Sequence, residues 1–88
     1  MGTFYICPTP IGNLNDISTR LVQVLSEVDI IYAEDTRVAK KLLSHLNQKK
    51  EIRSYFKGNE VKKINEILHL LDDDKSIGMI SDAGTPLI

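Results

Sequence analysis

Cys7 is the one cysteine in the 88 residues, which also lack tryptophan and hold three prolines and five glycines. A lone cysteine excludes an internal disulfide framework and a cysteine metal cluster. Its apolar neighbours favour a packed core thiol over a nucleophile. No run of apolar residues is long enough to span a bilayer, and residues 1–8 lack the basic segment and apolar core of a secretory signal. We therefore expect a cytoplasmic protein without a membrane association.

The chain also has no large excess of positive or negative charge. Eleven basic and twelve acidic residues leave a net charge of -1, which by itself predicts neither nucleic-acid nor membrane binding. His45 and His69 have no partners at metal-ligand spacing, so we expect no metal site. An apolar fraction of 42% and a charged fraction of 26% are typical of a soluble globular chain, and 88 residues suffice for one small domain.

Four short runs of apolar and β-branched residues predict four strands. They cover residues 3–7, 29–33, 52–56 and 76–80, and Pro8 is expected to end the first. None alternates cleanly between apolar and polar residues, which is typical of parallel strands covered on both faces. The third run has mixed polarity, so we expect it near an edge of the sheet.

Apolar residues recur at three- and four-residue steps in the three segments between these strands, which predicts three amphipathic helices. The expected buried stripes are Leu21, Val24, Leu25 and Val28; Val38, Leu42, Leu43 and Leu46; and Val61, Ile64, Leu68 and Leu71. The candidate caps, in the same order, are Asp16 or Ser18, Asp35 or Thr36, and Asn59. An acidic run, Asp72 to Asp74, is expected to mark the exit from the third helix.

Strand–helix–strand repeated three times predicts right-handed crossovers and an α/β fold, a mostly parallel sheet with helices on both faces. In such sheets the ligand crevice lies beyond the carboxyl ends of the strands. The loops that follow the first, second and fourth strands are therefore the candidates for function.

The first of these loops is rigid and has few reactive side chains. It reads Pro8, Thr9, Pro10, Ile11, Gly12, Asn13, Leu14. The prolines fix the backbone, while Gly12 accepts a positive φ and Asn13 tolerates one. Such a loop lets a ligand approach the main chain, although its spacing fits neither a dinucleotide fingerprint nor a P-loop. A stiff connection without a ligand is the alternative interpretation.

The second loop carries two adjacent carboxylates, Glu34 and Asp35, where a strand ends and a helix begins. Either carboxylate could hold a substrate hydroxyl, and their proximity tends to raise one pKa, as a general base requires. Arg37 could pair with either of them. Helix capping by Asp35 or Thr36, with a surface ion pair, is the alternative.

The loop after the fourth strand reads Ser81, Asp82, Ala83, Gly84, Thr85, Pro86. Main-chain groups around Gly84 and the side chains of Asp82 and Thr85 offer donors and acceptors to a polar ligand. A plain glycine–proline turn is the competing interpretation.

Taken in order along the whole chain, these three loops closely resemble the ribosomal RNA branch of the tetrapyrrole methylase superfamily. Tyr55, Asn59 and Glu60 also match a family segment, whereas Phe56 and Gly58 stand where histidines are common. The resemblance implies the N-terminal domain of a class III, two-domain methyltransferase that uses S-adenosylmethionine. It further implies 2′-O-methylation of a cytidine ribose in 16S ribosomal RNA and a homodimer.

On this resemblance, residues 1–88 form a partial N-terminal α/β domain, and a C-terminal domain and the rest of the cofactor pocket lie elsewhere. The segment alone is then expected to be inactive. The resemblance implies a cofactor wall formed by Ser81, Asp82, Ala83, Gly84, Thr85 and Pro86. It implies RNA contacts from Pro8, Thr9, Pro10, Gly12, Asn13 and Asn59, with Glu34, Asp35 and Arg37 at the reacting centre.

Two other interpretations remain open. One keeps the methyltransferase and replaces RNA by a corrin or another tetrapyrrole. The other is a small flavodoxin-like or receiver-like binding module. A receiver needs its acidic pair after the first strand to hold a metal, whereas Pro8, Thr9 and Pro10 occupy that position and the acids follow the second strand.

Overall fold

The structure, a computed structural model, describes residues 2–9, 18–55 and 58–82, with the backbone alone at 8, 9 and 82. Strands and helices alternate there as predicted. The elements are β1 (Phe4–Thr9), α1 (Thr19–Glu27), β2 (Ile30–Ala33), α2 (Thr36–His45), β3 (Glu51–Ser54), α3 (Glu60–Asp72) and β4 (Ile77–Asp82). None of the helices in these ranges is long and apolar enough to cross a membrane.

The four strands form one sheet in the order β1-β4-β2-β3, and every neighbouring pair is parallel. β3 lies at an edge, as its mixed polarity predicted. Because all strands run the same way, their carboxyl ends share one edge of the sheet. We call this edge the carboxyl rim and define it by the last strand residues, Thr9, Ala33, Ser54 and Asp82.

The helices divide between the two faces because the chain reverses its direction across the sheet. It moves toward one edge from β1 to β2 to β3, and it returns from β3 to β4. Right-handed crossovers then place α1 and α2 on one face and α3 on the other. The larger core lies under α1 and α2 and contains Cys7, Leu21, Val24, Leu25, Val28, Ile31, Ala33, Ala39, Leu42, Leu43 and Ile80. The smaller core under α3 contains Ile30, Tyr32, Ile67, Ile77 and Met79.

Side chains at the helix ends satisfy backbone groups that the helices leave open. Ser18 Oγ accepts a hydrogen bond from the Leu21 amide at 3.1 Å and so caps α1. At the other end of α1, Lys50 Nζ donates to the carbonyl oxygens of Ser26 at 3.0 Å and Val28 at 2.8 Å. Asn59 occupies the cap position of α3. Asp16, the other candidate cap of α1, lies outside the described residues.

Three strand boundaries differ from prediction. β1 continues through Pro8, which lies opposite Ser81, to Thr9. A proline is tolerated in a strand where its nitrogen faces away from a partner, and β4 is the one neighbour of β1 among the described residues. β4 likewise runs on through Ser81 and Asp82, and β3 is shifted to Glu51–Ser54. The parallel pairing of β1 with β4 carries both strands past the residues that local propensity marked as their ends.

The predicted α3 stripe packs against the core only at Leu71, which is partly buried, and the prediction is wrong for its other three residues. Val61 is 77% exposed, Ile64 45% and Leu68 52%, and Ile67 instead fills the core position. Phe4 and Ile6 alternate along β1 with Cys7 and Tyr5, which pack against the opposite face, and they are exposed too. A periodic stripe predicts which side of a helix is apolar, but not whether a neighbouring element covers it. In α2, similarly, Ala39 is buried and Val38 is exposed.

Candidate active site at the carboxyl rim

The strand ends bring the three candidate loops to the same edge. In the strand pairing Thr9 lies opposite Asp82, and Ala33 lies opposite both Ile80 and Ser54. The prediction that these loops begin side by side is therefore confirmed for their first residues. The remaining predicted site residues, Pro10, Gly12, Asn13, Ala83, Gly84, Thr85 and Pro86, lie outside the described residues.

At the β2–α2 corner, the structure separates the roles of the two carboxylates. Asp35 caps α2, with Oδ1 accepting from the Arg37 amide at 3.0 Å. The same carboxylate receives Arg37 Nε at 3.1 Å and Nη2 at 3.0 Å. Hydrogen bonds from the Arg37 side chain, and then from its backbone amide, hold the pKa of Asp35 below its ordinary value. For Asp35 and Arg37 the structure shows the capping and ion-pair arrangement that the alternative interpretation described.

Glu34 has a different environment. It follows the buried Ala33, its side chain is exposed, and none of the ion pairs seen in residues 2–9, 18–55 and 58–82 involves it. A carboxylate without a structural partner can meet a ligand without first breaking a contact. Of the two adjacent acids, Glu34 is therefore the one that this corner leaves available for chemistry.

The end of β4 is built for close packing. Ser81 is buried and lies in the strand rather than in the loop that sequence patterns predicted for it. β4 has neighbours on both sides, so its last residue, Asp82, lies on the rim between the ends of β1 and β2.

The rim also includes the turn between β3 and α3. Gly58 has φ of 109°, a conformation that side chains other than glycine rarely adopt. Its amide donates to Glu60 Oε2 at 2.7 Å, which ties Gly58 to the first residue of α3. A residue with a side chain would be strained at this position.

Behind the rim lies a polar cluster that sequence reasoning missed. The fully buried Tyr32 donates its hydroxyl hydrogen to Glu66 Oε1, and Arg53 Nη1 donates to the same oxygen at 2.9 Å. Lys63 Nζ lies 3.7 Å from Glu66 Oε2. Burial, followed by the bond to Glu66, raises the pKa of Tyr32 to about 12, and the Tyr32 hydrogen bond lowers the pKa of Glu66. The cluster joins α3 to β2 and β3.

A cavity of about 340 Å³ opens between β1 and the start of α1. Cys7, Ser18 and Arg20 are among its lining residues. Burial raises the pKa of the Cys7 thiol, which keeps it protonated, as expected of a packed core thiol. The cavity therefore offers a ligand space beside the cationic side chain of Arg20, but the protonated Cys7 thiol gives it no activated nucleophile. No group of potential metal ligands occurs in the part of the chain that the structure describes.

Comparison with known proteins defines the class. Residues 3–88 match the family of Tetrapyrrole (Corrin/Porphyrin) Methylases, and the chain belongs to this family. The parallel sheet with its helices agrees with the α/β architecture that the resemblance implied.

Among characterised relatives, the chain is 47% identical over all its 88 residues to the ribosomal RNA small subunit methyltransferase I of Mycoplasmopsis pulmonis. It is 48% identical over the same span to the protein of that name from Thermotoga maritima. The Escherichia coli O157:H7 protein of that name is 46% identical over 87 residues, which are 99% of this chain. The chain spans 40% of the length of the first two relatives and 30% of the third.

Proposed function

We propose that the complete gene product is an S-adenosylmethionine-dependent methyltransferase that acts on small-subunit ribosomal RNA. Its target is the ribose 2′-oxygen of a cytidine in 16S ribosomal RNA. The observation that carries the proposal is the family match over residues 3–88, with relatives named as small-subunit ribosomal RNA methyltransferases. We place its reaction in the cytoplasm, where ribosomal RNA is found, and expect a homodimer with a second domain that completes the cleft.

The end of β4 is suited to holding the cofactor. A central parallel strand that ends at the rim delivers its following residues to the crevice where α/β proteins bind ligands. The residues that follow in the sequence, Ala83 and Gly84, have small or no side chains, a composition that lets a ligand approach a main chain. When bound, S-adenosylmethionine supplies an electrophilic methyl group on a sulfonium. We propose Ser81 to Pro86 as one wall of its pocket.

Glu34 is the residue that we propose to orient the ribose hydroxyl and accept its proton. In the transfer the ribose oxygen forms a bond to the methyl carbon as the carbon–sulfur bond breaks, and the hydroxyl proton passes to the carboxylate. A hydroxyl is a poor nucleophile until a positioned base draws its proton away. Glu34 is favoured over Asp35 because Asp35 is already held by the Arg37 side chain and the α2 amide. Arg37 and the first loop, Pro8 to Asn13 with Asn59, would contact RNA.

Methyl transfer by two matched variants tests this assignment. Radiolabelled methyl groups transferred to 16S ribosomal RNA are counted for Glu34→Gln and Asp35→Asn, with cofactor affinity measured alongside. Loss of a general base costs about 100- to 10,000-fold. Glu34→Gln should fall in that range at unchanged cofactor affinity, whereas Asp35→Asn should keep most of its turnover. Near-normal turnover by Glu34→Gln would remove Glu34 from the mechanism.

Residues 1–88 supply one wall of the pocket, so alone they should be inactive and bind cofactor weakly. Calorimetric titration of this segment with S-adenosylmethionine measures that binding. Micromolar affinity would contradict the partial-site proposal.

A corrin or porphyrin substrate is the second candidate, since the family description includes both. The names of the relatives favour RNA. Ribose methylation mapped on ribosomal RNA from a strain lacking the gene separates the two. Loss of one ribose methyl supports the RNA substrate, and an unchanged methylation map supports a tetrapyrrole.

A further inference from the structure

The basic residues are concentrated on one segment of a chain that is nearly neutral overall. Residues 36–50 contain five of the eleven lysines and arginines and none of the twelve acidic residues. These five are Arg37, Lys40, Lys41, Lys49 and Lys50. The segment comprises α2 and its connection to β3, so the positive charge is gathered in one place on the fold.

On α2 the charges share the solvent face. Ala39, Leu42 and Leu43 bury the opposite side of the helix. Arg37, Lys40, Lys41 and Ser44 recur at steps of three and four residues, which places them on one side. Lys40 and Lys41 are exposed, and Lys49 is exposed just beyond the helix. We call Arg37, Lys40, Lys41 and Lys49 the α2 cationic surface.

Three of these four cations are not engaged in folding. Lys50, which is outside this set, donates to two carbonyl oxygens at the end of α1, and Arg37 pairs with Asp35. The ion pairs found across residues 2–9, 18–55 and 58–82 do not include Lys40, Lys41 or Lys49. Arg37 itself keeps 89% of its side chain exposed. The surface therefore presents three ammonium groups that form no ion pair with an acidic residue in the part of the chain that the structure describes.

The surface borders a cavity of about 430 Å³ between α2 and β3, with Leu43 and Ile52 in its lining. Lys40 and Lys49 line this cavity together with Ser44, Asn47 and Gln48. Gln48 Oε1 is buried and accepts no hydrogen bond from the described residues. The lining residues thus offer hydroxyl and amide groups as well as two lysines, which suits a ligand with both phosphates and hydroxyls.

The surface is continuous with the candidate active site. α2 starts at Thr36, three residues after β2 ends on the carboxyl rim, and Arg37 lies in its first turn. A helix of ten residues is about 15 Å long. The cationic surface therefore extends from the rim along the outside of the molecule.

Building on the proposed function, we propose that the α2 cationic surface binds the phosphate backbone of the RNA whose ribose reacts at the carboxyl rim. Lysine-rich surfaces without aromatic residues position a nucleic acid through its phosphates and do not read its bases. Protein interfaces, by contrast, are depleted in lysine and enriched in aromatic residues at their centres. Selection of the nucleotide then falls to the rim and to the fold of the RNA.

The test uses two doubly substituted variants of the complete gene product with the same charge change. One is Lys40→Gln with Lys41→Gln, and the control is Lys62→Gln with Lys75→Gln, at exposed lysines outside the surface. The probe is a fluorescein-labelled 16S ribosomal RNA transcript, and its Kd is measured by anisotropy between 50 and 200 mM salt. S-adenosylmethionine affinity is followed in both variants as a check on folding.

Each lost phosphate contact lowers the slope of log affinity against log salt by about 0.7 to 0.9. The α2 variant should lose about 1.4 to 1.8 from that slope and bind RNA about ten- to fiftyfold more weakly at 0.1 M salt. The control should stay within about twofold, since its lysines touch no phosphate. An α2 variant with the Kd and slope of the control overturns the proposal.

Two further outcomes separate the possible failures. If polyglutamate competes with RNA as well as unlabelled RNA does, the surface is a site for acidic protein and the RNA proposal is wrong. RNA binding needs no methyl transfer. A changed salt slope in a protein that methylates no ribosomal RNA therefore contradicts the proposed function and supports the cationic surface.

Discussion

The two faces of the sheet differ in how completely they are covered. Under α1 and α2 the core is continuous, and Leu25, Ile31 and Leu42 are almost wholly buried. On the α3 face the buried cluster is less than half as large, and β1 and α3 leave apolar side chains exposed. The exposed residues on that face are Phe4, Ile6, Val61, Ile64 and Leu68.

This difference shows that the faces are stabilised in different ways. The α1/α2 face depends on burial of apolar area, the dominant favourable contribution to folding. α3 buries Ile67 and adds the hydrogen bonds of Tyr32 and Arg53 to Glu66. Substitutions should therefore act through cavity formation on one face and through polar contacts on the other.

Leu25→Ala should have the largest effect. Leu25 is fully buried on the α1/α2 face, and truncating a buried leucine costs about 2 to 5 kcal/mol. Urea unfolding of the purified protein measures the change in the free energy of unfolding. A loss below about 1 kcal/mol would mean that this face is not the well-packed one.

High pH should destabilise the α3 face through Tyr32. Its pKa is about 12 in the folded protein and about 10 when unfolded, so the folded state favours the neutral phenol. The stabilisation is complete below pH 10 and is lost as the pH rises toward 12, by about 2 to 3 kcal/mol.

Tyr32→Phe is the matched control for that measurement. It should start about 1 to 2 kcal/mol less stable at pH 7, because the hydrogen bond to Glu66 is lost. It should then lack the additional decline between pH 10 and 12. If wild type and variant decline in parallel over this range, the Tyr32 cluster does not account for the pH dependence.

Loss of the α1 cap, on the α1/α2 face, should have an intermediate effect on the free energy of unfolding. Ser18→Ala removes the acceptor for the Leu21 amide and should cost about 1 kcal/mol. Ser26→Ala changes the same side chain at an exposed site near the end of the helix and should stay within about 0.5 kcal/mol. Equal losses in the two variants, measured by thermal unfolding, would contradict the capping role.

Leu68→Ala should have the smallest effect. About half of the Leu68 side chain is exposed on the α3 face, so truncation removes little buried area, and alanine favours the helix. We expect a change under about 1 kcal/mol in the urea experiment used for Leu25→Ala. A loss as large as that of Leu25→Ala would show that the two faces are equally covered.

Local sequence patterns were sufficient for the element order and the parallel sheet, because apolar runs and helical stripes are local signals. The position of β3 at an edge followed from its polarity in the same way. The extension of β1 through Pro8 depends on pairing with β4, a contact between residues more than seventy positions apart. No local propensity contains that information.

The same reliance on local patterns explains which candidate positions could be predicted and which cluster could not. The rule for parallel sheets placed Glu34 and the end of β4 on one edge. The Tyr32 cluster was missed because Arg53 becomes its neighbour only through the register of β2 and β3. The sequence left the arrangement of Asp35 open, since the same residue type serves as a cap or as a base, and the structure shows the cap and the contact with Arg37.

The most direct test of the carboxyl rim as the working edge is a map of backbone amide shifts in the isotope-labelled complete gene product on addition of S-adenosylmethionine. The amino and carboxyl ends of β4 are about 16 Å apart, far enough for the map to distinguish the two ends of the strands. We predict shifts concentrated at Thr9, Glu34 and Asp82. Shifts concentrated instead at Thr3, Asp29 and Ser76, on the opposite edge, would contradict the account.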